Sequence, residues 1–268
     1  MLAPKNKDSM SNVMAVALVV CFVCSIMVAS AAVLLKPQRV ANKNLDRISN
    51  ILVAAGIQNV SPTEIVSEFD KFEVKVADLV ERRVLTDLEA LDLGIDTGSY
   101  DQRKASKDPY LSKQLADGED LASISRRARY SLLYILREEE TRAISKIILP
   151  MHGYGLWSTL YGFLSLKGDM NTVSGITFYE HGETAGLGGE VDNPDWKKSW
   201  EGKKIYSDGN VALRVIKGKA SSDSPDYDYQ IDGLSGATLT SRGVENMVAY
   251  WLGKDGFGPL LSELGGRY

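Results

Sequence analysis

Cysteine is almost absent from this sequence, since its only two, Cys21 and Cys24, fall in one apolar stretch near the N-terminus. The rest of the chain therefore has no cysteine framework for disulfides and no zinc or iron–sulfur spacing. A net charge of −4 gives no basic excess, so nucleic acid is not an expected partner. A Walker A sequence is also missing.

The longest apolar run is uncharged and covers 13–35, a stretch of 23 residues. As a helix it would extend roughly 34 Å, enough to cross a bilayer core of about 30 Å. The Cys-x-x-Cys inside it has two interpretations, a redox or metal pair, or two small apolar residues on a membrane helix. The apolar surroundings favour the second.

A cleaved signal peptide is the alternative interpretation of this run. Lys5 and Lys7 precede it, and Ala-Ser-Ala at 29–31 resembles a cleavage site. The run is longer than a signal core of roughly 7–15 residues, which favours an uncleaved anchor. The anchor separates an N-terminal tail, 1–12, from a soluble domain, 36–268.

The charges that flank the run favour a cytoplasmic soluble domain. More basic residues follow the run than precede it, and positive charge tends to stay on the cytoplasmic side. Long domains cross membranes largely regardless of charge, so this rule does not fix the orientation. The basic residues are Lys36, Arg39, Lys43 and Arg47 after the run and Lys5 and Lys7 before it.

The soluble part begins with helical patterns. Apolar spacing predicts a helix over 38–55. Ser-Pro-Thr-Glu at 61–64 combines a cap, an N1 proline and a capping-box glutamate. It predicts a second helix that carries Ile65, Val66, Phe69 and Phe72. The polar stretch 94–120 is expected to be a solvated excursion over the domain surface.

The centre of the chain is rich in β-branched and aromatic residues. The stretches 128–136 and 143–151 flank a polar turn and predict a hairpin, while 173–181 and 211–219 predict further strands. A last helix is predicted over 244–253. We expect an α+β fold: a twisted, antiparallel-rich sheet flanked by helices and preceded by one transmembrane helix.

Two glycine-rich stretches follow predicted strands. The first, 152–162, has Ser158 where a dinucleotide-binding fingerprint needs its third glycine, so that fold is not expected. The second, 181–190, has four glycines, which let the backbone approach either another backbone segment or a flat ligand. A convoluted loop without a ligand is the alternative for this second stretch.

A third motif, Asp-Gly-Leu-Ser-Gly-Ala-Thr-Leu-Thr-Ser at 232–241, precedes the last predicted helix. If that helix begins near 241–243, Thr238 lies just before free N–H groups that suit an anion, above all phosphate. An ordinary Thr or Ser cap is the alternative. Asp232 would place negative charge beside a phosphate, which makes more sense if a divalent ion or a transferase approaches there.

Four separated motifs in order connect the chain to a known family. They are 100–109, 148–162, 176–196 and 232–241. With the single N-terminal span, they resemble the C subunit of the sodium-translocating NADH:quinone reductase over nearly the whole chain. The pattern Asp-Gly-x-Ser-Gly-Ala-Thr resembles the motif on which a separate flavin transferase places FMN. The resemblance implies a phosphoester from FMN to the last threonine, here Thr238.

The resemblance also implies a function and a location. The chain would be a covalent-FMN subunit of a bacterial inner-membrane complex that reduces ubiquinone with NADH and translocates sodium, and it would not be catalytic alone. Electrons would pass from a membrane iron–sulfur centre to the FMN of the B subunit. The implied partners are the B, D and E subunits, the flavin transferase and the lipid bilayer. The soluble domain would face the periplasm, contrary to the flanking charges.

The resemblance and the residues together give the candidate FMN site. Backbone amides from Glu183 to Gly188, and Lys217, are candidates to stabilise the flavin N1–C2 edge, while Leu187 and Trp157 would cover the ring. Core packing is the alternative for Trp157, and a solvated strand position for Lys217. The set contains no metal ligand and no catalytic residue. It comprises Thr238, Asp232, Ser235, Gly236, Ala237, Leu239, Glu183, Thr184, Gly186, Leu187, Gly188, Trp157 and Lys217.

Some residues and functions remain outside this assignment. The only histidines, His152 and His181, receive no proton-transfer role. Ala185 stands where the family pattern has proline, which loosens the loop without touching the attachment site. The alternatives are the flavoprotein subunit of a ferredoxin-linked Rnf complex, a membrane-anchored flavin sensor, and a structural interaction domain. A threonine-nucleophile hydrolase is disfavoured because the motif contains no base.

Overall fold

The apolar run near the N-terminus forms one helix in the structure, a computed structural model that describes residues 9–265. Helix α1 spans Met10–Leu34, so it begins three residues before the predicted run and ends one residue earlier. Its length and composition fit one membrane crossing. Lys5 and Lys7, together with 1–8 of the predicted tail, lie outside the described residues.

We expect the segment 13–35 to stay on the mature protein, because its apolar run exceeds a signal core and continues to Lys36. The measurement is the N-terminal sequence of the full chain purified from membranes. A sequence that begins near Ala32 would identify a cleaved signal peptide instead.

The chain divides into two units, 1–46 and 47–268. Helix α2, Lys36–Ala54, begins in the first unit and ends in the second, and it confirms the helix predicted over 38–55. The second unit then contains, in order, α3 (Ile65–Phe69), β1 (Phe72–Asp78), β2 (Arg83–Val84), α4 (Asp87–Asp92), α5 (Gln102–Lys107), β3 (Ser112–Gln114), β4 (Arg126–Ala128), β5 (Tyr130–Arg137), β6 (Ile144–Tyr154), β7 (Thr159–Lys167), β8 (Val173–Glu180), α6 (Pro194–Lys198), β9 (Tyr206–Ser207), β10 (Asn210–Val211), β11 (Arg214–Val215), β12 (Gln230–Ile231), α7 (Thr238–Trp251) and α8 (Gly258–Gly265).

A six-stranded sheet in the order β2-β1-β5-β6-β7-β8 forms the centre of the second unit. Every neighbouring pair is antiparallel. The predicted hairpin is confirmed as β5 and β6, with Tyr134 opposite Ile148. The strand predicted over 173–181 is confirmed as β8. The sheet and its helices confirm the expected α+β class.

Apolar side chains cover both faces of the sheet. On one face, helix α7 packs against β6 and buries Met247, Val248 and Trp251. The other face forms a second cluster in which Ile51 and Leu52 at the end of α2 join strand residues of the sheet. The end of α2 is also held by polar contacts, because the Arg47 guanidinium donates to the Tyr134 hydroxyl.

Two predictions of regular structure are wrong. Phe72 opens β1 instead of extending a helix, because α3 ends at Phe69, although Ser61 Oγ does donate to Glu64 Oε2 at 2.8 Å. The stretch 211–219 is not one strand, because Leu213 turns into the core and Gly218 adopts a φ of +85°. Only its short pieces pair, in β10 and β11.

The polar stretch 94–120 is more ordered than a solvated loop. It contains α5 and β3, and it buries Ala105 and Leu115. The Arg103 guanidinium lies 3.4 Å from the centroid of the Tyr161 ring and donates to both Glu180 oxygens at 2.9 Å. These contacts fasten α5 to the sheet at β7 and β8.

We expect acid to destabilise the fold through His152, whose ring stacks on Tyr161 at 5.5 Å. Burial, together with the positive charge of Arg103, lowers the pKa of His152 to about 4. Between pH about 6.5 and 4 the unfolded chain binds a proton that the folded chain does not, so stability falls as pH falls. The expected change is on the order of 3 kcal/mol.

The measurement is the free energy of unfolding as a function of pH for the wild type and for His152→Asn. The variant should lack the part of the loss that His152 contributes, so its stability should fall less than that of the wild type over this window. An identical pH profile in the two proteins would contradict the expectation.

Candidate functional site

The first turn of α7 is open at its N-terminus. Thr238 is the first helical residue, three or more residues before the predicted start at 241–243, and it is exposed. Gly236, with a φ of +71°, makes the left-handed turn that leads into the helix. No side chain among residues 9–265 caps α7, so its first N–H groups and the positive end of its dipole remain available at Thr238.

Thr238 lines a cavity with a volume of about 760 Å³. Small-molecule sites are commonly of this size. Lys217, Lys219 and Arg242 also line the cavity, and the carboxylate of Glu245 accepts from the backbone N–H of Val215 at 3.0 Å. The basic side chains and the helix N-terminus together suit a phosphate group.

Asp232 organises the loop that carries the two lysines of this cavity. Its Oδ1 accepts from the backbone N–H of Ala220 at 2.8 Å, and its carbonyl accepts from Trp196 Nε1 at 2.7 Å. The N–H of Gly233 donates to the Gly218 carbonyl at 2.8 Å. Asp232 therefore holds the segment 216–220 that carries the two lysines.

Glu183 joins α7 to the neighbouring loop. Its carboxylate is buried, with the residue 8% exposed. Oε2 accepts from the Thr240 hydroxyl at 2.7 Å, and Oε1 accepts from the backbone N–H groups of Leu156, Trp157 and Ser158 at 3.1, 3.0 and 3.2 Å. Burial raises the pKa of Glu183, but these hydrogen bonds outweigh it and hold the pKa below its usual value.

The glycine-rich stretch 181–190 and the motif 232–241 meet at Glu183. A Cβ on Gly188 would lie 2.7 Å from Glu183 Oε2, so only glycine fits there. The Leu187 side chain reaches within 3.1 Å of the position that a Cβ of Gly236 would occupy. The structure thus brings 183–188 next to 235–239, as the candidate site requires.

The loop 183–188 offers a ligand fewer free backbone N–H groups than the sequence indicated. The N–H of Glu183 donates to His181 Nδ1 at 3.2 Å, and the N–H of Leu187 donates to the Thr184 carbonyl at 3.1 Å. The amides that remain as candidates for a ligand are those of Thr184, Ala185, Gly186 and Gly188.

Three large apolar side chains among the candidate site residues are exposed. Trp157 is 66% exposed, Leu239 55% and Leu187 45%. Core packing is therefore wrong as the interpretation of Trp157. Exposed apolar groups that cluster on a surface commonly mark a site for a ligand or a partner.

The chain was compared with known proteins. A family model described as an FMN-binding domain matches residues 155–253. The C subunit of the Na(+)-translocating NADH-quinone reductase from Pseudomonas aeruginosa is 49% identical over 97% of both chains. The protein of the same name from Vibrio alginolyticus is 44% identical, over 97% of this chain and 96% of that one. This chain belongs to the family of C subunits of the Na(+)-translocating NADH-quinone reductase.

Solved structures from this family have the same fold. NqrC from Shewanella oneidensis has a TM-score of 0.72 and 30% identity, over 83% of this chain and 98% of that one. The protein from Parabacteroides distasonis, also a C subunit of the reductase, has a TM-score of 0.63 and 25% identity, over 85% of this chain and 97% of that one.

Several residues of the site were missed by sequence reasoning. Lys219 and Arg242 lie close to the motif in the sequence. Thr240 would have been found if the helix had been predicted to start at Thr238, because helical spacing then turns its side chain inward. Ser158 and His181 carried no pattern of their own, and their roles depend on contacts between distant segments. Lys217, predicted on a strand, lies exposed in the cavity loop.

Proposed function

We propose that this member of the family carries FMN on Thr238 and transfers electrons within a membrane complex that pumps sodium and reduces quinone with NADH. The observation that carries the proposal is the exposed Thr238 hydroxyl at the open N-terminus of α7, inside a cavity with basic side chains. The match to the FMN-binding domain and the names of its relatives support it.

The residues fit both ends of FMN. The phosphate would be held by the first N–H groups of α7 with Lys217, Lys219 and Arg242. The turn formed by Ser235, Gly236 and Ala237 presents Thr238 to that position.

The ring system of FMN would lie against the exposed apolar side chains. Trp157, Leu187 and Leu239 offer that surface, and Thr184, Gly186 and Gly188 offer backbone donors to the polar edge of the ring. FMN supplies reversible one-electron chemistry, and an ester bond keeps it from dissociating between turnovers.

The electrons would enter from a membrane iron–sulfur centre and leave to the FMN of the B subunit. The B, D and E subunits are accordingly the expected partners, with a flavin transferase during maturation. α1 anchors the chain in the bacterial inner membrane by a single pass. The soluble domain faces the periplasm, as membership of the family implies. The basic residues after α1 favour the opposite side, but long domains cross membranes largely regardless of charge.

The alternative functions have less support. The Rnf-type flavoprotein shares the Ser-Gly-Ala-Thr motif, but the relatives at 41–49% identity carry the name of the sodium pump. A threonine hydrolase would need a base beside Thr238. His181 is instead bonded to Asp192, and His152 is packed against Tyr161.

The function is tested by expressing the full chain with and without a flavin transferase. A fluorescent band that survives denaturing electrophoresis should form only with the transferase. A band of equal intensity without the transferase, or none with it, would contradict the proposal.

Asp232→Asn is expected to slow flavin attachment strongly. The amide keeps the acceptor for the Ala220 N–H but removes the charge, which we propose accepts the Thr238 proton or helps to place the metal of the transferase. The measurement is a time course of covalent FMN incorporation with purified transferase, FAD and Mg²⁺, with the exposed Asp223→Asn as control.

Flavin that is already attached should be lost no faster from Asp232→Asn than from the wild type. Equal rates of incorporation in variant and wild type would leave Asp232 with the loop-holding role alone.

A further inference from the structure

Both ring nitrogens of His181 are used by the protein. Nε2 lies 2.8 Å from Asp192 Oδ2, and Nδ1 accepts the backbone N–H of Glu183 at 3.2 Å. Asp192 is itself held by the Lys197 ammonium at 3.2 Å. The imidazole is therefore clamped between a carboxylate and a backbone donor.

Only one form of the imidazole satisfies both contacts. Nδ1 must carry a lone pair to accept from Glu183, and Nε2 must carry a proton to donate to Asp192. A proton on Nδ1 would bring two N–H donors together, because the Glu183 N–H points at the same atom, and neither would then have an acceptor. The geometry thus selects the neutral Nε2–H tautomer.

The position of the Glu183 main chain decides where its carboxylate lies. That carboxylate contacts the loop 155–158 between β6 and β7, which we call the Trp157 loop. That carboxylate accepts from all three N–H groups of 156–158 and from the Thr240 hydroxyl in the first turn of α7. A parallel link runs from the Gly182 N–H to Ser158 Oγ at 2.6 Å. A shift of the 181–183 main chain would therefore move both Trp157 and the first turn of α7.

We propose that His181 is a positioning residue for the flavin site, acting as a neutral Nε2–H imidazole that fixes Glu183 and, through it, the Trp157 loop. The inference rests on the proposed function only in assigning the loop to the flavin. It assigns His181 no proton transfer and no contact with the ring, and it explains why a histidine precedes the glycine-rich loop.

The tautomer is tested by selective ¹⁵N-histidine labelling of the full chain in detergent. The chain has only two histidines, so His152 serves as the second signal, and His181→Asn assigns the pair. Nε2 of His181 should show the ¹⁵N chemical shift of a protonated ring nitrogen and couple to both ring C–H protons, Hδ2 and Hε1. Nδ1 should show the shift of an unprotonated nitrogen. A protonated Nδ1 at neutral pH would overturn the proposal.

The positioning role is tested with two variants that divide the contacts of His181. Asparagine places its amide oxygen where Nδ1 lies and can accept from Glu183, whereas glutamine reaches the Nε2 position and serves Asp192 only. Hydrogen exchange of the 156–158 amides, read by mass spectrometry, should stay near the wild-type rate in His181→Asn. It should rise about tenfold or more in His181→Gln.

Peptides from β1 report whether either variant has lost the fold as a whole. Equal exchange at 156–158 in the two variants, with β1 protected, would overturn the proposal. Neither measurement needs flavin, so this result is independent of whether Thr238 carries FMN.

Discussion

Replacing Thr238 with alanine should abolish covalent flavin and leave the fold intact. The hydroxyl is the atom that would form the phosphoester, and the exposed side chain does not cap α7. Its loss should cost at most about 1 kcal/mol, the value of an ordinary helix cap. The measurement is in-gel flavin fluorescence of the full chain expressed with a flavin transferase, normalised to protein.

Ser235→Ala is the matched control. Ser235 belongs to the same motif, is exposed and lines the same cavity, but it precedes the helix. The variant keeps the Thr238 hydroxyl and should therefore still form covalent flavin, even where the loss of the Ser235 side chain lowers the amount. Wild-type fluorescence in Thr238→Ala, or its loss in Ser235→Ala alone, would place the attachment elsewhere.

Glu183→Ala should have the largest effect on stability. The substitution leaves the N–H groups of 156–158 and the Thr240 hydroxyl without their buried acceptor. Losing one member of such a network typically costs about 3 kcal/mol or more. The measurement is the free energy of unfolding in urea, with Glu190→Ala as a control from the same loop.

The same carboxylate makes part of the stability depend on pH. Its pKa is held below the usual value by the hydrogen bonds it accepts, so its contribution is present above the unfolded pKa and is lost as pH falls through the folded one. The wild type should therefore lose more stability in acid than Glu183→Ala does. Equal free energies of unfolding for the two proteins at neutral pH would contradict this account of the loop.

The sequence predicted those elements whose pattern is local. The β5–β6 hairpin and the buried face of α7 at Met247 and Trp251 follow from apolar spacing over a few residues. The start of α7 was missed because Thr240 and Ser241 look like turn residues. Both point inward, where Glu183 Oε2 accepts from Thr240 and Ser241 Oγ accepts from the Leu234 N–H at 3.0 Å.

Long-range contacts account for the remaining differences. No pattern near Arg103 shows that it stacks on Tyr161, more than fifty residues further along the chain. At the candidate site, the motif and the resemblance predicted Thr238 and the 183–188 loop as candidates. They did not show that the Glu183 carboxylate is buried and accepts from the N–H groups of 156–158, because that role exists only once the strands are paired.

The central claim, FMN esterified to Thr238, is tested most directly by peptide mass spectrometry of flavinylated full-length protein. Trypsin should release the peptide 220–242, which contains several residues with hydroxyl groups besides Thr238. Fragmentation should place the mass of FMN, less one water, on Thr238 and on no other residue of that peptide. The same mass on Ser235, Thr240 or a peptide outside 220–242 would contradict the account.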